Sequence, residues 1–436
     1  LYDWTLTRDN AGRIKRRVET IQGSVITWDY AYDNLGNLKE AQQNGSVVES
    51  YTYDANGNRL TETNVLRGIS NQTYTYSNED NVITAGTNTY QFDKDGFLTG
   101  KTAAAGTTTF HYSSRGELLN ATLPDGRDIS YDHDPIGRRI AKRINGTIME
   151  KYLWQGMTRL LAVYDGTNNL VARFTYADDR MPISMTQSGS TYYLAYDQVG
   201  SLRAVMDSTG LIVKQVDYDA FGSIINDSNS GIVVPFGFAG GLHDRDTGLV
   251  RFGYRDYDPV IGTFISKDPI GFKGGDTNLY RYVKNRPATL IDPFGLQVGG
   301  VIGGDDPSQY TYLQFNNGNG TLSYVTINGS PLESWPAVSG PWGKGPAPAG
   351  PYTVNGAPVT VPPSNPNYNS YCDPSGNCWW VPITPNFTPD PFRDGLGIHP
   401  DGGVPGTSGC IGAKGRNTQN LRNFLTNNPG LPLIVQ

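Results

Sequence analysis

The 436-residue chain holds only three cysteines, Cys372, Cys378 and Cys410, too few to staple a disulfide-built scaffold. Charge is also scarce, at 17% of residues, and its balance is acidic, with a formal net charge of −6. A chain of that sign lacks the basic face that nucleic acid requires, so no nucleic-acid partner is expected. No apolar run approaches the roughly 20 residues that span a bilayer, so no membrane span is expected either. Histidine is rare, and of the four only His399 lies in the last third. The chain opens at Leu1 without a charged-then-apolar leader and reads as a processed or excised piece. What is plentiful is glycine (53), proline (28) and tyrosine (27, against 15 Phe). That composition favours strands with one wet face over an oily helical core.

Up to residue 296 the chain repeats itself. An alternating aromatic/polar run is followed by Asp, two residues, Gly and then apolar residues. Tyr30–Gly36 and Tyr51–Gly57 are the clearest copies. Taking the aromatic as marker, Tyr32, Tyr53, Tyr76, Phe92, Tyr112, Tyr176, Tyr196 and Tyr218 recur about every 20 residues, with His133 and Trp154 as degenerate copies. Alternation such as Tyr51-Thr52-Tyr53 places the aromatics on one strand face. Asp54 can start an Asx-type turn, and Gly57 can take the positive φ that closes it. Each repeat is then a hairpin that is marginal alone and must pair with the next. The expectation is one long antiparallel sheet.

This Tyr-Asp-x-x-Gly period resembles the YD repeat of Rhs-family polymorphic toxins and of the C component of bacterial toxin complexes. The resemblance implies a mostly β protein whose sheet spirals into a shell around a C-terminal toxin. Residues 251–296, from Arg251-Phe252-Gly253-Tyr254-Arg255 to Asp292-Pro293-Phe294-Gly295-Leu296, resemble the segment that ends the Rhs core. In that family the segment is an aspartyl autoprotease. Carried over, the scissile bond is Leu296–Gln297, Asp268 and Asp292 form the carboxylate pair, and Arg255 is the supporting cation. Two carboxylates held close cannot both ionise, so one keeps its proton as acid while the other activates water. Asp-Pro is also a turn former, and both roles can fall on the same residues. The expected division is 1–250 repeat shell, 251–296 autoprotease segment and 297–436 toxin domain.

Residues 297–436 carry 5 Lys/Arg and 7 Asp/Glu. Two alternating runs, Gln309–Phe315 and Thr321–Gly329, flank Asn316-Asn317-Gly318-Asn319-Gly320 and predict a hairpin. Thr418 to Leu425 predicts one short helix with Thr418 as N-cap. The chemistry concentrates in a Gly-rich loop where His399 precedes Cys410 by eleven residues. A thiolate is the reactive form of Cys, and a neighbouring His can take its proton. Cys372 and Cys378 make a poor zinc site without further ligands and read as a disulfide formed in an oxidising space, with two free thiols as the alternative. No metal and no cofactor are expected.

The stretch ending Thr407-Ser408-Gly409-Cys410 resembles the L,D-transpeptidase signature, and the short His-to-Cys gap is similar to that of L,D-transpeptidase-like type VI effectors. Lys344–Tyr352 resembles the Gly-Pro-x-Pro-x-Gly-x-Tyr element of those effectors. Gly412 stands where the housekeeping family often has Arg, with Arg416 further on. The resemblance implies a small β-rich domain acting on peptidoglycan stem peptides in the target-cell periplasm. Cys410 would be the nucleophile, His399 the base and then acid, Ser408 an orienting group, and the backbone around Gly409 and Cys410 the oxyanion site. Asp401 fits a turn residue better than a His-orienting one. The implied partners are a cognate immunity protein and a secretion-system spike or adaptor. Two other readings remain open: a cytosol-acting toxin with another Cys chemistry, and a non-catalytic wall-binding or adhesive module.

Overall fold

The computed structural model describes residues 2–177, 180–296, 311–316, 320–326, 331–339, 350–355, 357–365, 368–385, 397–401, 411–414, 418–427 and 432–435. The chain forms two compact units, Leu1–Asp132 with Arg139–Asp305, and His133–Arg138 with Asp306–Gln436.

The first unit is built on a 22-stranded sheet running from Tyr2–Arg8 to Ile224–Asp227. Successive strands pair antiparallel, as in Ser24–Tyr32 with Leu38–Gln43 and Ser46–Tyr53 with Arg59–Asn64. The Asp-x-x-Gly motif is the turn between them. The Asp33 carboxylate accepts the amides of Leu35 and Asn37, and the Gly36 amide closes back on the Asp33 carbonyl. Gly36 and Gly57 sit at φ 85° and 81°, where a side chain would be strained. Other connections are two-residue turns, Gln22-Gly23, Asn44-Gly45 and Asn145-Gly146, with both residues at positive φ. Their twist matches that of the strands they join.

The tyrosine excess has a specific cause. The Tyr32 hydroxyl donates to the Ile14 carbonyl, Tyr53 to Leu38 and Tyr176 to Leu160, each at 2.8–2.9 Å. Ile14 and Leu38 each lie five residues beyond the Asp of a preceding turn. These three repeats thus lock the one before them through a group that Phe lacks. Trp154 does the same through Nε1 to the Arg139 carbonyl.

The sheet winds back on itself. Buried Arg17 meets Asp197 at 3.2 Å, and buried Arg203 meets Glu19 at 2.7 Å. Trp4 Nε1 donates to the Tyr196 carbonyl. Further along, Asn64 donates to Asp219, and the Ala220 amide donates to the Glu49 carboxyl. Strands far apart in sequence therefore lie side by side, as a spiralling shell requires. These buried ions are paired or hydrogen-bonded, without which their desolvation would be prohibitive.

The segment after the sheet forms four short strands, Leu242–His243, Val250–Phe252, Arg255–Asp258 and Thr263–Phe264. Its Phe252, Tyr257, Phe264 and Tyr282 pack in one cluster with Trp28, Tyr30, Leu38 and Tyr51 of the sheet. It also grips the rim. Arg286 Nε donates to the Gly36 carbonyl, Asn285 to that of Gly57 and Tyr280 to that of Gly96. A Cβ on Gly36 would strike the Arg286 guanidinium, and one on Gly57 that of Arg281. Those glycines serve both the turn and the close approach of the segment.

The second unit holds a nine-stranded sheet. Thr311–Asn316 and Thr321–Thr326 form the expected hairpin. Gly350–Val354 pairs with both Pro432–Val435 and Trp379–Pro385, so the sheet closes on itself. The helix spans Gln419–Asn427 and buries Leu421 and Leu425 against Leu313, Phe315 and Trp379. Its start is fastened through Thr418, whose amide and hydroxyl both donate to Asp373 Oδ2, while its Oγ1 accepts from Trp379 Nε1. The cap position thus binds a distant loop. No helix among the described residues is long and apolar enough to cross a membrane.

Candidate functional site

The first cluster lies in the terminal segment of the shell. Asp268 and Asp292 each head an Asp-Pro-x-Gly turn, so the turn chemistry of these residues is real. Gly271 N–H closes on the Asp268 carbonyl, and Gly295 N–H on that of Asp292. In both turns Oδ1 accepts a chain amide, from Ile270 and from Leu296 respectively. In both, Oδ2 faces Arg255 Nη2, at 3.0 Å for Asp268 and 3.3 Å for Asp292. Arg255 also donates to the carbonyls of Gly295 and Leu279, and its guanidinium lies 3.6 Å from the Phe264 ring centroid. All three charged groups are buried or nearly so.

One cation facing two buried carboxylates leaves the cluster short of positive charge. Burial pushes the Asp268 carboxyl up to about 7, against the opposing pull of Arg255, with the Asp292 charge adding to the rise. The Leu296 carbonyl oxygen and Asp268 Oδ2 both lie 2.8 Å from the point a Cβ on Gly274 would occupy. Gly274, Phe264 and the Leu279 carbonyl had no signal in the sequence, since their contacts are made only on folding. Gln297 lies outside the described residues.

The second cluster surrounds His399, 5% exposed on the strand Gly397–Pro400. That strand runs antiparallel to Trp379–Pro385 and parallel to Ile411–Ala413, with His399 paired to Gly412. Nδ1 lies 2.6 Å from the Pro400 carbonyl. A carbonyl only accepts, so Nδ1 carries a proton, and in the neutral ring Nε2 is then the acceptor nitrogen. The Trp380 ring stacks on the imidazole, with centroids 5.8 Å apart and planes at 20°. The Tyr371 ring meets it edge-on at 5.0 Å. Cys372 and Cys378 are joined as a disulfide. The Asp401 amide donates to the Ala413 carbonyl, and its side chain lies over Gly412. Ser408, Gly409, Cys410, Arg416 and residues 344–349 lie outside the described residues. No group of three or more His, Cys, Asp and Glu side chains suited to a metal ion occurs among the described residues.

Comparison with known proteins assigns both parts. The Teneurin YD-shell family matches residues 1–288, and the L,D-transpeptidase catalytic domain family matches residues 310–429. Teneurin-3 of Mus musculus is 32% identical over 311 residues, 67% of this chain and 11% of its own length. The tRNA3(Ser)-specific nuclease WapA of Bacillus spizizenii is 32% identical over 281 residues, 62% of this chain and 12% of its own. The chain thus spans about a ninth of the length of the curated relatives it matches. A solved TcdB2-TccC3-TEV structure aligns with 68% of this chain and 20% of its own, at 19% identity and a TM-score of 0.36. The chain belongs to the Teneurin YD-shell family, and its shell is followed in the sequence by an L,D-transpeptidase catalytic domain.

Proposed function

We propose that this chain is part of a secreted polymorphic toxin that cuts itself after Leu296 and frees a cysteine L,D-carboxypeptidase or L,D-transpeptidase within residues 297–436. The domain division at 250 and 296 belongs to the same proposal. Its targets are peptidoglycan stem peptides in the periplasm of a competing bacterium. A cognate immunity protein protects the producer, and a secretion-system spike or adaptor carries the chain.

The observation that carries the enzyme reading is the setting of His399. Its Nδ1 is committed to the Pro400 carbonyl, which makes Nε2 the proton acceptor. The strand register seats it beside Gly412, two residues beyond Cys410 in the chain. In the proposed cycle Nε2 takes the Cys410 thiol proton, and sulfur attacks the carbonyl of the third stem residue. Nε2 then passes the proton to the departing D-amino acid, leaving a thioester. Water or another amine resolves the thioester and restores the thiol. Ser408 orients His399 or the substrate, and backbone amides at Gly409 and Cys410 hold the oxyanion.

Self-cleavage draws support from the Arg255 cluster. Protonated Asp268 lies near the Leu296 carbonyl oxygen and acts as the acid. Asp292, fixed by Arg255 and the Leu296 amide, takes a proton from the attacking water. Water adds to the Leu296 carbonyl carbon, and the Gln297 amine leaves with a proton.

Mass spectrometry of muropeptides exposed to wild type and to Cys410→Ala tests the enzyme. Wild type should deplete tetrapeptides and produce tripeptides or exchanged stems, and Cys410→Ala should do neither. Identical muropeptides from both would refute it. Toxicity confined to cytosolic expression of the freed domain would favour a different Cys-dependent activity.

A further inference from the structure

Tyr371 and Trp380 are nine residues apart, yet both rings touch His399 and also each other, at 5.4 Å between centroids. Two devices bring them there. The first is strand register. Val381 pairs with Ile398 and Pro382 with Gly397, so the next pair outward is Trp380 with His399. Cross-strand neighbours are the unit of side-chain contact in a sheet, which accounts for the stacked rings. The second is the connection between Tyr371 and Trp379. Cys372 faces Cys378 as an isolated antiparallel pair, and the disulfide closes it. Inside the loop Asp373 accepts the amides of Ser375 and Asn377, and Gly376, at φ 81°, turns the chain back. This is the Asp-x-x-Gly turn of the shell, reused once with a covalent clasp.

The clasp is anchored from outside as well. Asp373, 4% exposed, holds the amide and hydroxyl of Thr418, which in turn holds Trp379 Nε1. The stem of the loop is thus fixed to the first turn of the helix Gln419–Asn427. From its two ends it presents one ring stacked on the imidazole and one crossing it at nearly a right angle.

We propose that Tyr371 and Trp380 are positioning residues for His399, and that the Cys372–Cys378 bridge holds them to it. The bond to Pro400 selects the tautomer, and the two aromatic walls, one stacked on the ring and one crossing it, restrain its orientation. A base displaced by about 1 Å can lose about 100-fold in rate, so the clamp fixes the line of proton transfer without touching the substrate. The effect on turnover rests on the enzyme reading above. The effect on the imidazole does not.

The experiment uses the full chain labelled with 13C and 15N in histidine. His399→Gln identifies the His399 signals among the four histidines. Wild type should show the Nδ1–H tautomer and a ring-current-shifted Hε1. Trp380→Leu, Tyr371→Leu and the paired Cys372→Ser, Cys378→Ser variant should each lose that signature. Tyr371→Phe should retain it, because the ring and not the hydroxyl does the positioning. On muropeptides the first three should lose about 10–100-fold in kcat with KM little changed, and Tyr371→Phe should recover most of the loss. Treating wild type with a thiol reductant gives the bridge-open state without mutation and should reproduce the paired Ser variant. An unchanged His399 signature in Trp380→Leu and in the reduced protein would overturn the proposal. Wild type with the expected signature but no turnover would refute the enzyme reading and leave the positioning role standing.

Discussion

Asp165 and Asp268 head the same kind of turn and end in opposite chemical states. Asp165, on the solvent side of the sheet, accepts from the Asn169 side chain, the amides of Thr167 and Asn169 and the Thr167 hydroxyl. With the Asn169 side chain as the largest influence, these donors pull its carboxyl down to about 2. Asp268 keeps one such donor, the Ile270 amide, and turns its other oxygen inward beside a second carboxylate. Burial then drives it up to about 7. The turn supplies an oriented carboxylate in both places. What the second oxygen faces decides whether that carboxylate braces the fold or is fit to carry a proton.

The sharpest way to break this comparison is to neutralise each Asp in turn. Asp268→Asn or Asp292→Asn should slow self-cleavage by at least about 100-fold, leaving one chain of full mass on a denaturing gel. Asp165→Asn should cut at the wild-type rate. Equal cutting in all three would show that the inward-facing pair has no chemical role.

A pH series sharpens it further. Asp268 is protonated below about 7, so single-turnover cleavage should fall as pH rises past that value. Stability should follow the same group. Between the ordinary carboxylate range near 4 and about 7 the folded chain keeps a proton that the unfolded chain has released. Stability contributed by this site therefore declines with rising pH across that window. Asp268→Asn should flatten the decline in urea-melt midpoints, whereas Asp165→Asn should alter only the acid limb near pH 2–4, where a lowered carboxyl loses its charge.

Smaller effects separate the turn from its docking partner. Gly57→Ala strains a positive φ and presses on Arg281, and should cost about 1–3 kcal/mol in chemical denaturation. Gly23→Ala has the same sign of φ but open space around it, and should cost less. Smallest of all, Tyr53→Phe removes one hydroxyl-to-carbonyl bond and should cost about 1 kcal/mol.

The shell was legible because its rules are local. An Asp, two residues and a Gly make a turn wherever they fall, and the period follows from counting. Asn44-Gly45 and Asn145-Gly146 carried an equally plain two-residue turn signal that the aromatic marker overshadowed. The winding of the sheet was not legible in the same way. It depends on buried pairs such as Arg17 with Asp197 and Arg203 with Glu19, whose partners lie some 180 residues apart. Nothing in the spacing of Arg255, Asp268 and Asp292 makes them converge. Family resemblance alone singled them out, and the geometry shows why they meet: two turns and a strand present their polar ends to one buried point. The clamp on His399 was hidden for a related reason. Tyr371 and Trp380 look like ordinary aromatic residues until the strand register sets one opposite the imidazole and the bridge brings the other alongside.

The grip of Tyr280, Asn285 and Arg286 on three turn carbonyls, those of Gly96, Gly57 and Gly36, bears on the proposed scission. Every one of those fastenings lies upstream of Leu296, as do the aromatic contacts of Phe252 and Tyr282. Under the proposed self-cleavage, hydrolysis after Leu296 would therefore leave every one of these fastenings within the shell in place.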